Sequence, residues 1–263
     1  MDVAIVEREQ AVHLAADLFG ELFATRWDVV VGLATGSTPS ALYRELARRK
    51  HRGELPDLSG IRCFALDEYI GLPEDHPQRY AHVLAREWRE PLGLSPEQVR
   101  VPDTRETVLD TAGERYEDEI AAAGGVDLQI LGLGRNGHVG FNEPGSSLSS
   151  RTRLKTLSRQ TRQDNARFFT GGEKVPRFCV TQGLGTILAA QRILLMAFGS
   201  AKAEAVAAAL EGPVSARTPA SVLQFHDRVT VLLDEPAASR LQDHEEYRYA
   251  WSTRWGGARL TWL

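Results

Sequence analysis

Apolar residues in this chain fall into two alternating patterns. Short continuous runs rich in β-branched residues, of which Asp28-Val29-Val30-Val31-Gly32-Leu33 is the clearest, read as strands buried on both faces. Similar runs lie at Ile61 to Leu66, Val126 to Leu131, Phe178 to Thr181, Arg192 to Phe198 and Val229 to Leu233. Between them apolar residues recur at helical spacing, as in Ala41 to Ala47 behind Pro39 and in Ala203 to Leu210. Strands alternating with helices predict an α/β fold, a doubly wound, mainly parallel sheet that takes in all of these strands and carries helices on both faces.

No repeat and no low-complexity linker divides the 263 residues, so a single domain over 1–263 is expected. Apolar residues at 43% and charged residues at 25% match an ordinary folded chain. A formal charge of −4 argues against a nucleic-acid partner, which needs a broadly basic face. Charges in Met1-Asp2-Val3-Ala4-Ile5-Val6-Glu7 come too early for a signal peptide, and no apolar run reaches the roughly 20 residues that span a bilayer. A cytoplasmic location without a membrane partner is therefore expected. Cys63 and Cys179 sit in strand-like runs and read as buried free thiols, with no second ligand at zinc-like spacing and hence no metal. The polar, weakly periodic stretch 157–175 reads as a cover. The tail from Tyr247 to Leu263, with Trp251, Trp255 and Trp262, reads as a segment that docks its rings on the body.

In an open parallel sheet ligands collect at the carboxyl ends of the strands, and three ends are chemically equipped. Thr35-Gly36-Ser37-Thr38 offers free N–H groups and hydroxyls at a helix N-terminus, which suits a phosphate, although the Gly-Lys-Ser/Thr ending of a P-loop is missing. Asp67 closes a buried strand, where desolvation raises a carboxyl toward the range of a general base. In Gly132-Leu133-Gly134-Arg135-Asn136-Gly137-His138-Val139-Gly140-Phe141-Asn142-Glu143-Pro144, four glycines allow His138 and Glu143 to face each other, the carboxylate holding one ring nitrogen and the other left free. Downstream lies a basic series, Arg151, Arg153, Lys155, Arg159, Arg162 and Arg167, which reads as a solvated face with one or two members suited to an anion. Lys202 follows Gly199-Ser200 at the start of another helix, whose dipole also favours an anion.

These stretches resemble the glucosamine-6-phosphate deaminases. The matching motifs are Leu-Ala-Thr-Gly-Ser-Thr-Pro at 33–39, Leu-Asp-Glu-Tyr-Ile-Gly-Leu at 66–72, Gly-His-Val-Gly-Phe-Asn-Glu-Pro at 137–144, Ser-Arg-Thr-Arg at 150–153, Asn-Ala-Arg-Phe-Phe at 165–169 and Gly-Ser-Ala-Lys at 199–202, in the family's order across almost the whole chain. The resemblance implies a modified Rossmann-like sheet and the isomerising deamination of glucosamine 6-phosphate to fructose 6-phosphate and ammonia. It makes Asp67 the base between the second and first sugar carbons, and His138 with its partner Glu143 the ring-opening group. Gly36, Ser37, Thr38, Arg167 and Lys202 become the phosphate site, and 157–175 a lid. A small amino-sugar phosphate is the implied partner, with no organic cofactor and no metal.

Two positions depart from the family pattern. Asn136 stands where many members have Asp, so no added negative charge lies beside His138, which should titrate lower than in Asp-bearing relatives. The Trp-rich tail replaces the family's usual ending. Ser146, Arg153, Lys155 and Thr156 match positions that bind an allosteric amino-sugar phosphate in hexameric members, but part of that site comes from the C-terminal region. Single-subunit members also exist, so both a monomer and a homo-oligomer remain open. Two rival readings are a 6-phosphogluconolactonase-like hydrolase, which after Gly-His usually continues Ser-Leu-Phe-Pro-Gly, and a non-catalytic sugar-phosphate sensor, whose usual helix-turn-helix has no room here.

Overall fold

The computed structural model describes residues 1–254. Ten strands form two sheets: β1 (Asp2–Ile5), β2 (Val30–Leu33), β3 (Arg62–Ala65), β4 (Asp67–Ile70), β5 (Val99–Arg100), β6 (Leu128–Gly132), β7 (Arg153–Thr156), β8 (Phe178–Thr181), β9 (Ile193–Ala197) and β10 (Val229–Leu233). Seven of them make one sheet in the order β1-β10-β9-β6-β2-β3-β5, and every pairing in it is parallel. All residues of β2, β9 and β10 are buried, as strands covered on both faces must be. The doubly wound parallel sheet expected from the apolar runs is present.

From β2 the chain steps outward to β3 and β5, then returns to β6, beside β2, and steps the other way to β9 and β10. The reversal leaves a crevice at the carboxyl ends of β2 and β6, the switch point where loops diverge to opposite faces. Thr35-Gly36-Ser37-Thr38 follows β2, and the glycine-rich 132–144 stretch follows β6. Both chemically equipped loops thus come together through topology alone.

One strand belongs elsewhere than its apolar run suggested. Phe178–Thr181 is not in the doubly wound sheet; it is the centre of a separate three-stranded antiparallel sheet, β4-β8-β7. The reason lies at Leu66. Its N–H bonds Leu33 O (2.8 Å) as part of the main sheet, while its carbonyl accepts Gln182 N (2.7 Å), and from Asp67 onward the chain pairs with β8. This antiparallel sheet exposes Phe178 and Leu154 on its outer face, where Glu68 and Val180 are buried. Its inner side covers a small apolar cluster with Tyr69, Phe141, Leu157, Phe169, Val175 and Cys179, distinct from the main core.

The helix Ala203–Leu210 has the expected bounds, and Pro39 lies in the first turn of the helix Ser37–His51. Cys63 and Cys179 are free and buried, in β3 and β8. At the C-terminal end the helix His244–Thr253 packs on the body, with Trp251 partly buried against the main core; Trp255 and Trp262 lie outside the described residues.

Candidate active site

A cavity of about 280 Å³ opens at the switch point. Gly36, Ser37, Thr38, Asp67, His138, Arg167 and Lys202 all line it, so every expected phosphate-loop residue meets the expected base and imidazole in one space. Asn136 and Glu143 do not line it; they stand behind His138.

Asp67 is the first residue of β4, where the chain has just left the main sheet, and it is only 6% exposed. Burial, reinforced by the neighbouring negative charge of Glu68, raises its carboxyl well above the usual carboxylate range. Gly140, with φ +55°, lies against it: a methyl group there would stand 3.1 Å from Thr181 Oγ1 and 3.5 Å from Asp67 Oδ2. The left-handed turn and the close approach both require glycine.

The imidazole is held differently from the sequence expectation. Asn136 Oδ1 lies 2.6 Å from His138 Nδ1, and Asn136 Nδ2 donates to Glu143 Oε2 at 2.8 Å. Glu143 itself is 3.7 Å from Nδ1, so an amide relays the contact that a direct carboxylate–imidazole bond was expected to make. The amide orientation follows from chemistry, because only its NH₂ end can face a carboxylate. Asn136 Oδ1 is then an acceptor, Nδ1 carries the proton, and Nε2 is the free basic nitrogen. Gly134 makes room for the ring: a methyl group there would meet His138 Cε1 at 2.3 Å. Burial and the Lys202 cation lower the His138 pKa, with the Glu143 charge opposing them; burial is the largest effect. Glu143 also accepts Ser158 N at 3.0 Å and is held below the usual carboxylate range by that bond, by Thr161, by Asn136 and by His138, against the opposing effect of its own burial.

At the opposite wall, Gly36 precedes the helix Ser37–His51 at φ +110°, and the first turn of that helix lines the cavity. Tyr43 Oη bonds Ala34 O (2.6 Å) and steadies the loop from below. Lys202 Nζ donates to Leu133 O at 2.6 Å; burial, with help from Arg167 and Arg135, lowers its pKa. Its loop is tied by Asp234, whose carboxylate accepts Gly199 N (2.8 Å) and also caps the helix Glu235–Ala238 through Ala237 N (2.9 Å).

The segment 157–175 folds as a helix, Arg159–Asn165, and a short turn, Ala166–Phe168, over the cavity. Its ends, Leu157 and Val175, are rooted in the small apolar cluster, while Asp164, Asn165, Arg167, Phe168 and Phe169 reach the cavity. Asn165 Nδ2 donates to Tyr69 Oη (2.9 Å), which also accepts from Tyr80 Oη (3.1 Å), and Tyr80 is bonded in turn to Thr35. This chain of hydroxyls joins the segment to the phosphate loop. Sequence reasoning missed Tyr80, Thr181 and Asp234, which carry no motif; Glu68, Tyr69 and Asn165 lay inside quoted motifs without an assigned task. Of the positions matched to an allosteric site, Arg153, Lys155 and Thr156 lie on β7, away from the cavity, with Arg153 Nη1 on Asn142 Oδ1 at 2.7 Å. Ser146 is buried with its hydroxyl unpartnered among the described residues.

A crevice of this kind is where open α/β sheets bind their ligands. Comparison with known proteins narrows the class. The chain belongs to the family of glucosamine-6-phosphate isomerases and 6-phosphogluconolactonases, whose model matches residues 7–232. It is 50% identical over 260 residues to a glucosamine-6-phosphate deaminase of Pseudarthrobacter chlorophenolicus, covering 98% of this chain and all of the relative. A glucosamine-6-phosphate deaminase of Cutibacterium acnes is 52% identical over 255 residues, 97% of either chain. Among solved structures, a monomeric glucosamine-6-phosphate deaminase superposes with a TM-score of 0.88 at 41% identity, over 91% of this chain and 100% of that one. The 6-phosphogluconolactonase of Trypanosoma brucei shares the fold, with a TM-score of 0.72 at 20% identity over 91% of this chain and 98% of that one.

Proposed function

We propose that this protein converts glucosamine 6-phosphate and water to fructose 6-phosphate and ammonia, an isomerising hydrolysis of a carbon–nitrogen bond. The observation that carries the reading is the pairing of two proton-transfer groups in one cavity: a carboxylate made basic by burial, Asp67, and an imidazole whose free nitrogen is Nε2, His138, opposite an anion-binding loop.

In this reading the phosphate is held by the loop Gly36-Ser37-Thr38, by Arg167 and by Lys202, whose lowered proton affinity a dianion would restore. His138 opens the pyranose, taking the anomeric proton on Nε2 and returning it to the ring oxygen. Asn136 and Glu143 keep Nδ1 protonated throughout. Asp67 then removes the proton on the second carbon, and the electron pair forms the double bond to the first carbon while the aldehyde oxygen takes a proton from solvent. Asp67 returns its proton to the first carbon of this enolamine as the nitrogen lone pair closes the iminium, the solvent proton being given back when water adds. The resulting iminium adds water and releases ammonia. The substrate is its own electron sink, so the chemistry asks only for placed acids and bases. The segment 157–175 acts as a lid, a role supported by its rooted ends and its side chains in the cavity. The reaction would take place in the cytoplasm, in the use of amino sugars derived from N-acetylglucosamine, and by a single subunit, as the solved relative is monomeric.

The test is ammonia release from glucosamine 6-phosphate set beside hydrolysis of 6-phosphogluconolactone. Ammonia release should dominate, and Asp67→Asn should lower its rate by about 100-fold or more. Lactone hydrolysis without ammonia release would replace this reading with the lactonase one.

A further inference from the structure

Asp67 and Glu68 are consecutive residues of β4, both buried, on opposite faces of the strand. Two carboxyl groups on adjacent buried residues act on each other's ionisation, and the surroundings decide which goes first. Glu68 is fully buried, yet its oxygens are well supplied with donors: Oε1 accepts Tyr69 N (2.8 Å) and Tyr80 N (2.9 Å), and Oε2 accepts Ala81 N (3.0 Å). Burial raises the Glu68 carboxyl above the usual carboxylate range, but three main-chain donors and the Arg79 cation favour the anion and oppose that rise. Among the described residues Asp67 has no such support. Its surroundings act on it through burial and the Glu68 charge alone.

We propose that Glu68 is a positioning residue that takes the first negative charge of this pair, fixes it beside Asp67, and thereby makes Asp67 a stronger base. The inference rests on the reading of Asp67 as the base. The same carboxylate ties the backbone of Tyr69 and Tyr80 together, so the charge cannot drift from the site it acts on. The other titratable groups around Asp67 do not supply this charge. Tyr69 on the same strand, Tyr80, Tyr116 from the helix Leu109–Ala122 and Cys179 on β8 are neutral, their own protons held more tightly by burial. Across the cavity, the Glu143 charge is already shared with His138 and Asn136, and Lys202 lies at the phosphate end.

The experiment follows the carboxyl carbons of Asp67 and Glu68 by ¹³C NMR through a pH titration, with resonances assigned through the backbone. In Glu68→Gln the midpoint of Asp67 should fall by about one pH unit or more, since a neutral amide replaces a charge on the adjacent residue in a poorly solvated site. The plateau kcat for ammonia release should fall about three- to tenfold, as a weaker base transfers the proton more slowly. An Asp67 midpoint that stays within about 0.3 units overturns the proposal. Where Glu68→Gln does not fold, Asp67→Asn gives the reciprocal test. If Glu68 ionises first, its midpoint is the same as in the wild type; a drop of about one unit would mean that Asp67 ionises first, and would overturn it. A wild type that releases no ammonia counts against the proposed reaction, while the two titrations still decide the coupling.

Discussion

The amide of Asn136 occupies the place beside His138 where a second carboxylate would otherwise stand. A neutral relay fixes the tautomer as well as a carboxylate does, through one hydrogen bond of 2.6 Å, but it does not favour the imidazolium. Asn136→Asp should therefore raise the His138 titration midpoint by about one pH unit, read from the ring Cε1 proton by NMR. An unchanged midpoint would show that the group at position 136 does not act on the charge of the ring. At this scale the sequence was legible wherever a motif named a residue, as with Asp67, His138 and Lys202. It was silent on the order of the contacts, because Asn136, His138 and Glu143 are all within a few residues and only the loop path decides which pair touches.

Elements act here mainly by tying loops to one another. Asp234 is the instructive case, since one carboxylate caps the helix Glu235–Ala238 and holds Gly199 N ahead of Lys202. Asp234→Ala should cost about 1 kcal/mol of stability as a lost cap. It should also raise KM for the phosphorylated substrate several-fold with a smaller change in kcat, because the phosphate loop loosens while Asp67 and His138 stay in place. Steady-state kinetics beside thermal melts separate the two effects. No motif marks Asp234; its role arises from β9 and β10 being neighbours, a pairing remote from local pattern. Phe178–Thr181 shows the same limit from the other side. A four-residue apolar run fits a parallel or an antiparallel sheet equally well, and its partner β4 is set by where the chain leaves the main sheet at Leu66.

For the molecule as a whole, the buried base is a cost to folding. Asp67 binds its proton more tightly folded than unfolded, so the native state carries more protons between the two pKa values, and stability falls as the pH rises through that window. At low pH, below the unfolded value of about 4, the penalty is absent. Asp67→Asn should then melt higher than the wild type at pH 8, by about 2–4 °C for each kcal/mol recovered, and the gap should close as the pH falls toward about 4. Melting curves across pH would show it, and equal curves at pH 8 would mean that the carboxylate is better solvated than its burial indicates.

By itself, the order of residues determined the central strands of the parallel sheet and named Asp67, His138 and the phosphate-loop residues. Continuous β-branched runs can be buried only in a sheet covered on both faces, and Gly-rich or acidic strand ends can lie only at its rim. What tertiary structure decided was proximity: that β6 returns beside β2, bringing two distant loops to one cavity, and that an amide intervenes between His138 and Glu143. Periodicity records which face of an element is apolar. It holds no record of which elements become neighbours, and the proton affinities of Asp67 and His138 depend on those neighbours.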